Sequence, residues 1–343
     1  MNQKTILITG GTGSLGRRLA AYILSAHNPK KVIIYSRDEL KQFEMQNEQI
    51  FIDHGPTKDD KMRFFIGDVR DKSRLLFAMR DVDYVIHTAA LKQVPATEYN
   101  PFEAVKTNII GAQNVIEASL ESGVSKVIAL STDKAAAPIN LYGATKLTSD
   151  KLFLAANYYK GKRDIKFSVV RYGNVLGSRG SVVPLFLSKI KNEFLSITDK
   201  RMTRFTITLP EAVRFVLKCM KMMNGSELFV PKIPSYRIMD LVAAVSPNAE
   251  IKIIGIRPGE KLHEKLLTKE EIITTIEYKD KFVLLPGRMN KVLLNGVGGL
   301  YGEAGKLCNE KYSYNSRDNK WFLSVKEIRD LIIDQVPGGN VLS

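Results

Sequence analysis

Short apolar runs alternate with amphipathic stretches through the first half of the chain. The runs are rich in Val, Ile and Leu, which indicates buried strands, whereas apolar residues recur at helical spacing between them. The predicted strands are 5–9, 31–36, 63–66, 84–87, 127–131 and 167–171, and the clearest helices are 104–121 and 142–159. This alternation predicts an α/β fold with a doubly wound parallel sheet.

The pattern changes after residue 171, where glycine and proline become frequent. A helix predicted at 210–223 then returns to the regular spacing. We therefore predict a nucleotide-binding domain over 1–171, to which helix 210–223 returns. A smaller, interleaved C-terminal substrate-binding domain is predicted over 172–343.

The amino-acid composition limits the kinds of ligand that the protein is expected to bind. The chain has 343 residues and a formal net charge of +15, which favours anionic ligands. The basic residues are scattered and no nucleic-acid-binding motif is present, so a phosphorylated small molecule is expected rather than nucleic acid. The two cysteines and four histidines have no metal-ligand spacing. No apolar run reaches the ~18 residues of a membrane span and no signal-peptide pattern is present, so a cytoplasmic location is predicted.

A glycine-rich loop follows the first predicted strand and opens a helix. Gly10 allows a tight turn, Gly13 allows close approach to a pyrophosphate, and Gly16 allows the helix to pack near the sheet. The helix N-terminus then faces the phosphates, so the sheet is predicted to be of the NAD(P)-binding Rossmann type. The predicted cofactor contacts in this loop are Gly10, Thr12, Gly13, Ser14, Leu15 and Gly16.

The end of the second strand favours NADP over NAD. Ser36 and Arg37 stand where an NAD enzyme usually places an acidic residue, and they suit a 2′-phosphate. Asp38 is the feature that argues the other way. The predicted contacts here are Ser36, Arg37, Asp38, Glu39, Leu40 and Lys41, followed by Asp68 and Val69 after the third strand and Thr88, Ala89 and Ala90 after the fourth.

Candidate chemistry follows the fifth strand, where Asp133 and Lys134 precede Tyr142 and Lys146. Tyr142 and Lys146 are spaced i, i+4 and share a helix face. A cationic Lys146 would lower the pKa of the phenol, which would let Tyr142 act as a base toward a substrate hydroxyl. These four residues are the predicted catalytic set, and Tyr142 and Lys146 are also predicted to contact the cofactor.

Segments 131–146 and 170–181 resemble the soluble, inverting UDP-N-acetylglucosamine 4,6-dehydratases of the extended short-chain dehydrogenase/reductase family. Segments 90–92, 201–205 and 256–264 are similar as well, although Gln93 departs from the usual histidine. The resemblance implies the first step of pseudaminic acid synthesis, used in flagellin glycosylation. It also implies an NADP cofactor and a homo-oligomer, often a hexamer.

The resemblance further implies roles at the sugar. Lys134 would remove the C-5 proton, which requires burial to lower its pKa, and a protonated Asp133 would donate to the leaving C-6 hydroxyl. Either Tyr142 or Lys134 could return the proton to C-5. The predicted substrate contacts are Lys92, Lys134, Asn174, Arg179, Arg257 and Tyr314, of which Tyr314 could instead serve packing.

Four other functions compete with this interpretation. They are a UDP-sugar C-4 epimerase, a capsule-type dehydratase that is also a 5-epimerase, an NADP-sensing regulator without catalysis, and a nucleic-acid-binding protein. Asp133 and Lys134 argue against the epimerase, because that reaction needs no base at C-5. The complete catalytic set argues against a sensor.

Overall fold

The computed structural model describes residues 1–178, 180–189, 194–286, 301–310 and 312–342. Two compact units are formed from interleaved segments. The first unit comprises Met1–Ser131, Ala144–Val170 and Val213–Phe229, and the second comprises Thr132–Gly143, Arg171–Ala212 and Val230–Ser343.

The strands are named in chain order. They are β1 Thr5–Thr9, β2 Lys31–Ser36, β3 Met62–Ile66, β4 Tyr84–His87, β5 Lys126–Thr132, β6 Lys166–Tyr172, β7 Asn174–Val175, β8 Phe194–Ile197, β9 Thr203–Ile207, β10 Leu228–Pro231, β11 Ser235–Arg237, β12 Glu250–Ile253, β13 Lys265–Leu267, β14 Thr275–Glu277, β15 Lys281–Leu284, β16 Lys306–Leu307 and β17 Tyr314–Asn315.

The α-helices are named in the same way. They are α1 Ser14–Ala26, α2 Glu39–Gln46, α3 Gln49–Ile52, α4 Lys72–Ala78, α5 Val94–Tyr99, α6 Pro101–Val105, α7 Gly111–Glu121, α8 Leu141–Tyr159, α9 Val182–Ser188, α10 Leu209–Met222, α11 Ile238–Val245, α12 Lys269–Ile272 and α13 Val325–Gln335. A π-helical turn covers Lys106–Ile110, and 3₁₀ turns cover Asp133–Ala135 and Gly339–Leu342.

The first unit is built on a parallel sheet. Its strands follow the order β3-β2-β1-β4-β5-β6-β10, and β1 pairs in parallel with both β2 and β4. The chain order therefore reverses beside β1, which creates the crevice at the carboxyl ends of β1 and β4 where such sheets bind ligands. The predicted doubly wound α/β fold is confirmed, and each predicted strand lies within one residue of an observed one.

The helix predicted over 104–121 is interrupted. The chain passes from α6 through the π-helical turn before α7 begins at Gly111. A Cβ at Gly111 would lie 2.7 Å from the side chain of Val69, so the absence of a side chain allows this close approach. The turn places the buried side chain of Asn108 toward the loop that follows β4. π-helical turns often occur at functional sites.

The second unit has small sheets around its own core. Strand β9 pairs with β7 in parallel and with β11 in antiparallel fashion, and β8 pairs in parallel with β12. Apolar residues of α9, α11 and α13 pack with these strands, among them Phe186, Leu241 and Ile332. Helix α13 starts at a reciprocal capping box between Ser324 and Glu327, which satisfies two backbone N–H groups.

No helix in the described part of the chain is both long enough and apolar enough to cross a bilayer.

Candidate active site

The glycine-rich loop of the first unit is shaped by close backbone contacts. Gly10 has a φ of +65°, and a Cβ there would lie 2.8 Å from the backbone of Ala89. A Cβ at Gly16 would lie 2.6 Å from Cα of Gly11, so α1 begins very near the loop. Any side chain at these positions would fill the concavity before the N-terminus of α1. Such a cradle fits the pyrophosphate of a dinucleotide.

The end of β2 presents a hydroxyl and a guanidinium. Ser36 Oγ lies 2.9 Å from Thr12 Oγ1, and the Arg37 side chain is 56% exposed. The Asp38 carboxylate accepts a 3.0 Å hydrogen bond from the Lys41 backbone N–H as the N-cap of α2, and it also pairs with the Lys41 side chain. This ion pair holds the pKa of Asp38 below its usual range. The acidic group that argued for NAD is therefore engaged in capping a helix.

The other predicted cofactor residues end β3 and β4. Asp68 accepts hydrogen bonds from the backbone and guanidinium of Arg70, which outweigh burial and lower the pKa of this carboxyl. Thr88 Oγ1 donates to the Thr9 carbonyl at 2.7 Å. Glu39 and Leu40 are both exposed at the start of α2.

Asn108 holds the loop after β4 in place through hydrogen bonds, a role that the sequence did not reveal. Its side-chain amide accepts from the Leu91 N–H at 2.8 Å and donates to the Leu91 carbonyl at 2.9 Å. A third bond, 3.0 Å long, runs to Thr145 Oγ1. Thr145 precedes Lys146 on α8, so Asn108 connects the predicted cofactor loop to the helix that carries the Tyr-Lys pair.

Lys146 is buried near an acidic neighbour. Its side chain is 3% exposed, and burial lowers its pKa, with partial opposition from Asp150. Ser131 Oγ donates a 2.7 Å hydrogen bond to Asp150. Tyr142 and Lys146 both lie on α8, one turn apart as predicted.

The Asp-Lys pair of the second unit lies in the 3₁₀ turn that follows β5. Thr132 Oγ1 accepts from the Lys134 backbone N–H and so caps this turn. Gly143 lies directly against it, because a Cβ at position 143 would overlap the carbonyl oxygen of Lys134. The turn and the start of α8 are thereby held together around Tyr142.

The Lys134 ammonium has three acceptors around it. Nζ lies 3.0 Å from Asp133 Oδ1, 3.4 Å from Glu264 Oε1 and 3.5 Å from Asn174 Oδ1. Both carboxyl groups are buried, whereas the Lys134 side chain keeps 23% of its surface exposed. Asn174 therefore lies at the proposed base.

Electrostatics at this cluster differ from the sequence expectation in one respect. Burial favours the neutral form of Lys134, but the acidic side chains of Asp133 and Glu264 outweigh it and raise the pKa of Lys134. The expectation of a lowered pKa is wrong, because Glu264 adds a second carboxylate that only the fold brings beside Lys134. Burial raises the pKa of Asp133, in the direction of the protonated acid that the mechanism requires.

Three other predicted substrate residues lie in the described part of the chain. Lys92 is exposed in the first unit and Arg257 is exposed in the second. The Tyr314 side chain is buried, bonds through its hydroxyl to the Ile233 backbone and packs against Phe205. Arg179 lies outside the described residues.

Glu264 and Tyr236 are site residues that sequence reasoning missed. Tyr236 is buried and near Asn174, Arg204 and Lys134, although burial is the main cause that raises its pKa. Glu264 ends the family-like segment 256–264, which was the only signal available. Its contact with Lys134 depends on the fold.

Comparison with known proteins identifies the family. The model described as "Polysaccharide biosynthesis protein" matches residues 6–286. This chain belongs to that family. It is 52% identical to the UDP-N-acetylglucosamine 4,6-dehydratase (inverting) of Campylobacter jejuni, over 96% of this chain and 98% of the relative. The resemblance to that group of extended short-chain dehydrogenases/reductases is confirmed, and so is the prediction of an enzyme.

Two further similarities bear on fold and reaction. The X-ray structure of Pen from Bacillus thuringiensis superposes with a TM-score of 0.87 at 38% identity, covering 100% of this chain and 99% of that one. The UDP-glucose 4-epimerase of Rickettsia conorii is 38% identical over 96% of this chain and 95% of its own. The family thus includes proteins named for two reactions on UDP-sugars.

Proposed function

We propose that this enzyme dehydrates UDP-N-acetylglucosamine across C-4, C-5 and C-6 with inversion at C-5. The product would be UDP-2-acetamido-2,6-dideoxy-β-L-arabino-hex-4-ulose, made in the first step of pseudaminic acid synthesis for flagellin glycosylation. The observation that carries the proposal is the buried Asp133 carboxyl beside Lys134, 3.0 Å apart at the end of β5. The 52% identity to inverting dehydratases supports it.

NADP is the proposed cofactor. The glycine cradle at Gly10 and Gly16 would hold the pyrophosphate, and Ser36 and Arg37 would hold the 2′-phosphate. The cap formed by Asp38 supports this choice, because its carboxylate already has a partner. When bound, the nicotinamide supplies hydride acceptance from C-4 of the sugar and hydride return to C-6.

Tyr142 and Lys146 are the proposed residues for the C-4 step. Tyr142 would remove the proton of the C-4 hydroxyl through its phenolic oxygen. Lys146 would hold the cofactor and favour the phenolate by its charge. The resulting 4-keto group makes the hydrogen at C-5 acidic.

Lys134 and Asp133 are the proposed residues for the elimination. Nζ of Lys134 would take the C-5 proton, and the Asp133 carboxyl would give its proton to the departing C-6 hydroxyl, which leaves as water. Tyr142, which holds the proton from the C-4 hydroxyl, or Lys134 would then protonate C-5 on the opposite face, which gives the inverted product. The raised pKa of Asp133, caused by burial, supports its role as a donor.

Substrate binding is proposed to involve cationic side chains of lysine and arginine. Lys92 and Arg257 are both exposed and would pair with the diphosphate, with Arg179 as a further candidate. A homo-oligomer, often a hexamer in similar enzymes, is part of the proposal. The expected cytoplasmic location stays a prediction.

A proton NMR time course tests the function. The full chain is incubated with UDP-N-acetylglucosamine and NADP in deuterated water without a reductant. A new C-6 methyl signal, deuterium at C-5 and L-arabino ring couplings are expected. Lys134→Gln is expected to abolish the methyl signal.

The other outcomes separate the alternatives. A methyl product with unchanged C-5 configuration contradicts inversion but keeps the dehydratase. Conversion to the galacto epimer identifies a C-4 epimerase, as the Rickettsia relative is named. Complete absence of turnover with bound NADP contradicts this substrate and favours a sensor.

A further inference from the structure

Lys134 lies between two carboxyl groups, and only Asp133 has a role in the proposed chemistry. Glu264 is 3% exposed, and its Oε1 lies 3.4 Å from Lys134 Nζ. Its other oxygen, Oε2, has no hydrogen-bond partner among the described residues. A buried carboxylate with one oxygen left unpaired is costly, so its place beside a base requires an explanation.

The fold fixes Glu264 from both sides. Its backbone N–H donates to Ser316 Oγ at 2.9 Å, and its carbonyl accepts from the Ser316 N–H at 2.8 Å. Ser316 Oγ in turn lies 2.7 Å from Thr203 Oγ1. Earlier in the same segment, the Lys261 ammonium donates to the Ala136 carbonyl at 2.8 Å. The segment that carries Glu264 is thus tied to the turn that carries Lys134.

The charges that face this cluster are mixed. Besides Asp133 and Lys134, they are the Arg204 guanidinium and the Lys261 ammonium, and the Tyr236 phenol is the remaining titratable neighbour. Burial opposes ionisation of Glu264, but Lys134, Arg204 and Lys261 outweigh it and lower its pKa. The resting state is therefore a Lys134 ammonium paired with a Glu264 carboxylate.

An ammonium has no lone pair with which to take the C-5 proton. Lys134 must first lose a proton, and Glu264 is the ionised acceptor in contact with it. Transfer converts a buried ion pair into two neutral groups. Burial favours this change, whereas the attraction between the two charges opposes it, so the neutral pair is a minor state from which the base acts. No described residue donates a hydrogen bond to Oε2. The proton transfer is therefore favoured further, because no hydrogen bond there stabilises the negative charge of Glu264.

We propose that Glu264 is a positioning residue of this dehydration, which accepts the Lys134 proton and so makes Lys134 the base for C-5. The inference rests on the proposed function. A proton moves from Nζ to Oε1, and the freed lone pair takes the C-5 proton. The C–O bond at C-6 then breaks, and the hydroxyl leaves as water with the proton of Asp133.

The same contacts reset the site. After water leaves, Lys134 is an ammonium, Glu264 is an acid and Asp133 is a carboxylate. Lys134 passes its proton to Asp133 at 3.0 Å and then regains one from Glu264 at 3.4 Å. The three groups hold the same two protons at the end as at the start, and Tyr142 gives C-5 the proton that it took from the C-4 hydroxyl.

Glu264→Gln tests this relay in the full chain with two measurements. The first is the rate at which acetic anhydride acetylates Lys134 as a function of pH, followed by peptide mass spectrometry. The second is the dehydration rate as a function of pH, measured by the methyl signal. Glu277→Gln is the matched control, because it removes a carboxylate that pairs with Lys232 in the same unit.

The two measurements are expected to change in opposite directions. Loss of the carboxylate lowers the pKa of Lys134 by about one unit or more, so acetylation at a fixed pH below that pKa rises about tenfold. Dehydration falls about 10²–10⁴-fold, because the acceptor is missing. The residual rate should rise with pH, since Lys134 must now lose its proton to solvent. Glu277→Gln should change neither.

Other outcomes overturn the relay. Faster acetylation with faster dehydration means that Glu264 only suppresses the base. Unchanged acetylation means that the two groups do not interact. Failure of the unaltered enzyme to dehydrate the sugar overturns the proposed function and the relay with it, whereas a persistent acetylation difference would still show the Glu264–Lys134 coupling.

A conservative variant guards against misfolding. Glu264→Asp keeps a carboxylate one methylene shorter and is expected to recover most of the dehydration rate lost in Glu264→Gln. Equal loss in both variants, with unfolding temperatures that match the unaltered protein, contradicts a role for the carboxylate.

Discussion

At the scale of single residues, the catalytic turn depends on the absence of a side chain. A Cβ at Gly143 would overlap the carbonyl oxygen of Lys134, so Gly143→Ala must displace the turn or the start of α8. Displacement of a catalytic group by ~1 Å costs about 10²-fold in rate. We expect a loss of that size in dehydration, measured by NMR, and a destabilisation of about 1–3 kcal/mol.

Gly123→Ala separates displacement from simple instability. Gly123 has a φ of +75° and no neighbour within 4 Å of a built Cβ, so alanine there costs about 1–2 kcal/mol without any overlap. Its dehydration rate should stay near that of the unaltered enzyme. Equal rate losses in the two variants would contradict the importance of the Gly143 contact.

At the scale of elements, the end of β2 and the start of α2 set the cofactor preference. Arg37→Ala removes an exposed guanidinium that ion-pairs weakly with Asp68, 3.7 Å away. Exposure weakens each charged contact, so we expect NADP to bind about tenfold more weakly. NAD binding should be unchanged, because it carries no 2′-phosphate. Titration calorimetry with both cofactors measures the difference.

Lys30→Ala provides the control for this variant, because it removes an exposed cation near the start of β2, at the far end of that strand. It should alter neither affinity. If Arg37→Ala weakens NAD and NADP equally, or if the unaltered protein prefers NAD, the 2′-phosphate role of Arg37 is wrong.

The sequence predicted elements far better than contacts between them. The spacing of apolar residues and the residue types were sufficient to predict the strands and the glycine-rich loop, because those signals are local. Glu264 was missed because its partner Lys134 is distant along the chain, and the π-helical turn that orients Asn108 has no local signature. The error in the pKa of Lys134 has the same origin, since a pKa depends on neighbours that only folding supplies.

At the scale of the whole molecule, stability should depend on one buried ion pair of the second unit. The Arg171 side chain is 1% exposed, and its Nη1 lies 2.9 Å from Glu271 Oε1 and 3.1 Å from the Leu266 carbonyl. Glu271→Gln keeps the shape of the capping residue of α12 but removes the negative charge of Glu271 from beside the buried guanidinium. Breaking such a pair costs about 3 kcal/mol or more.

Urea unfolding followed by tryptophan fluorescence measures this cost, because Trp321 is the single tryptophan and belongs to the second unit. Glu277→Gln breaks a pair that is 29% exposed on both sides, and it should cost only about 0–1 kcal/mol. Arg171→Met combined with Glu271→Gln should recover part of the loss, because the buried guanidinium is removed together with the Glu271 carboxylate. A cost for Glu271→Gln no larger than that of Glu277→Gln would show that solvent reaches Arg171, and the pair would then not stabilise the second unit.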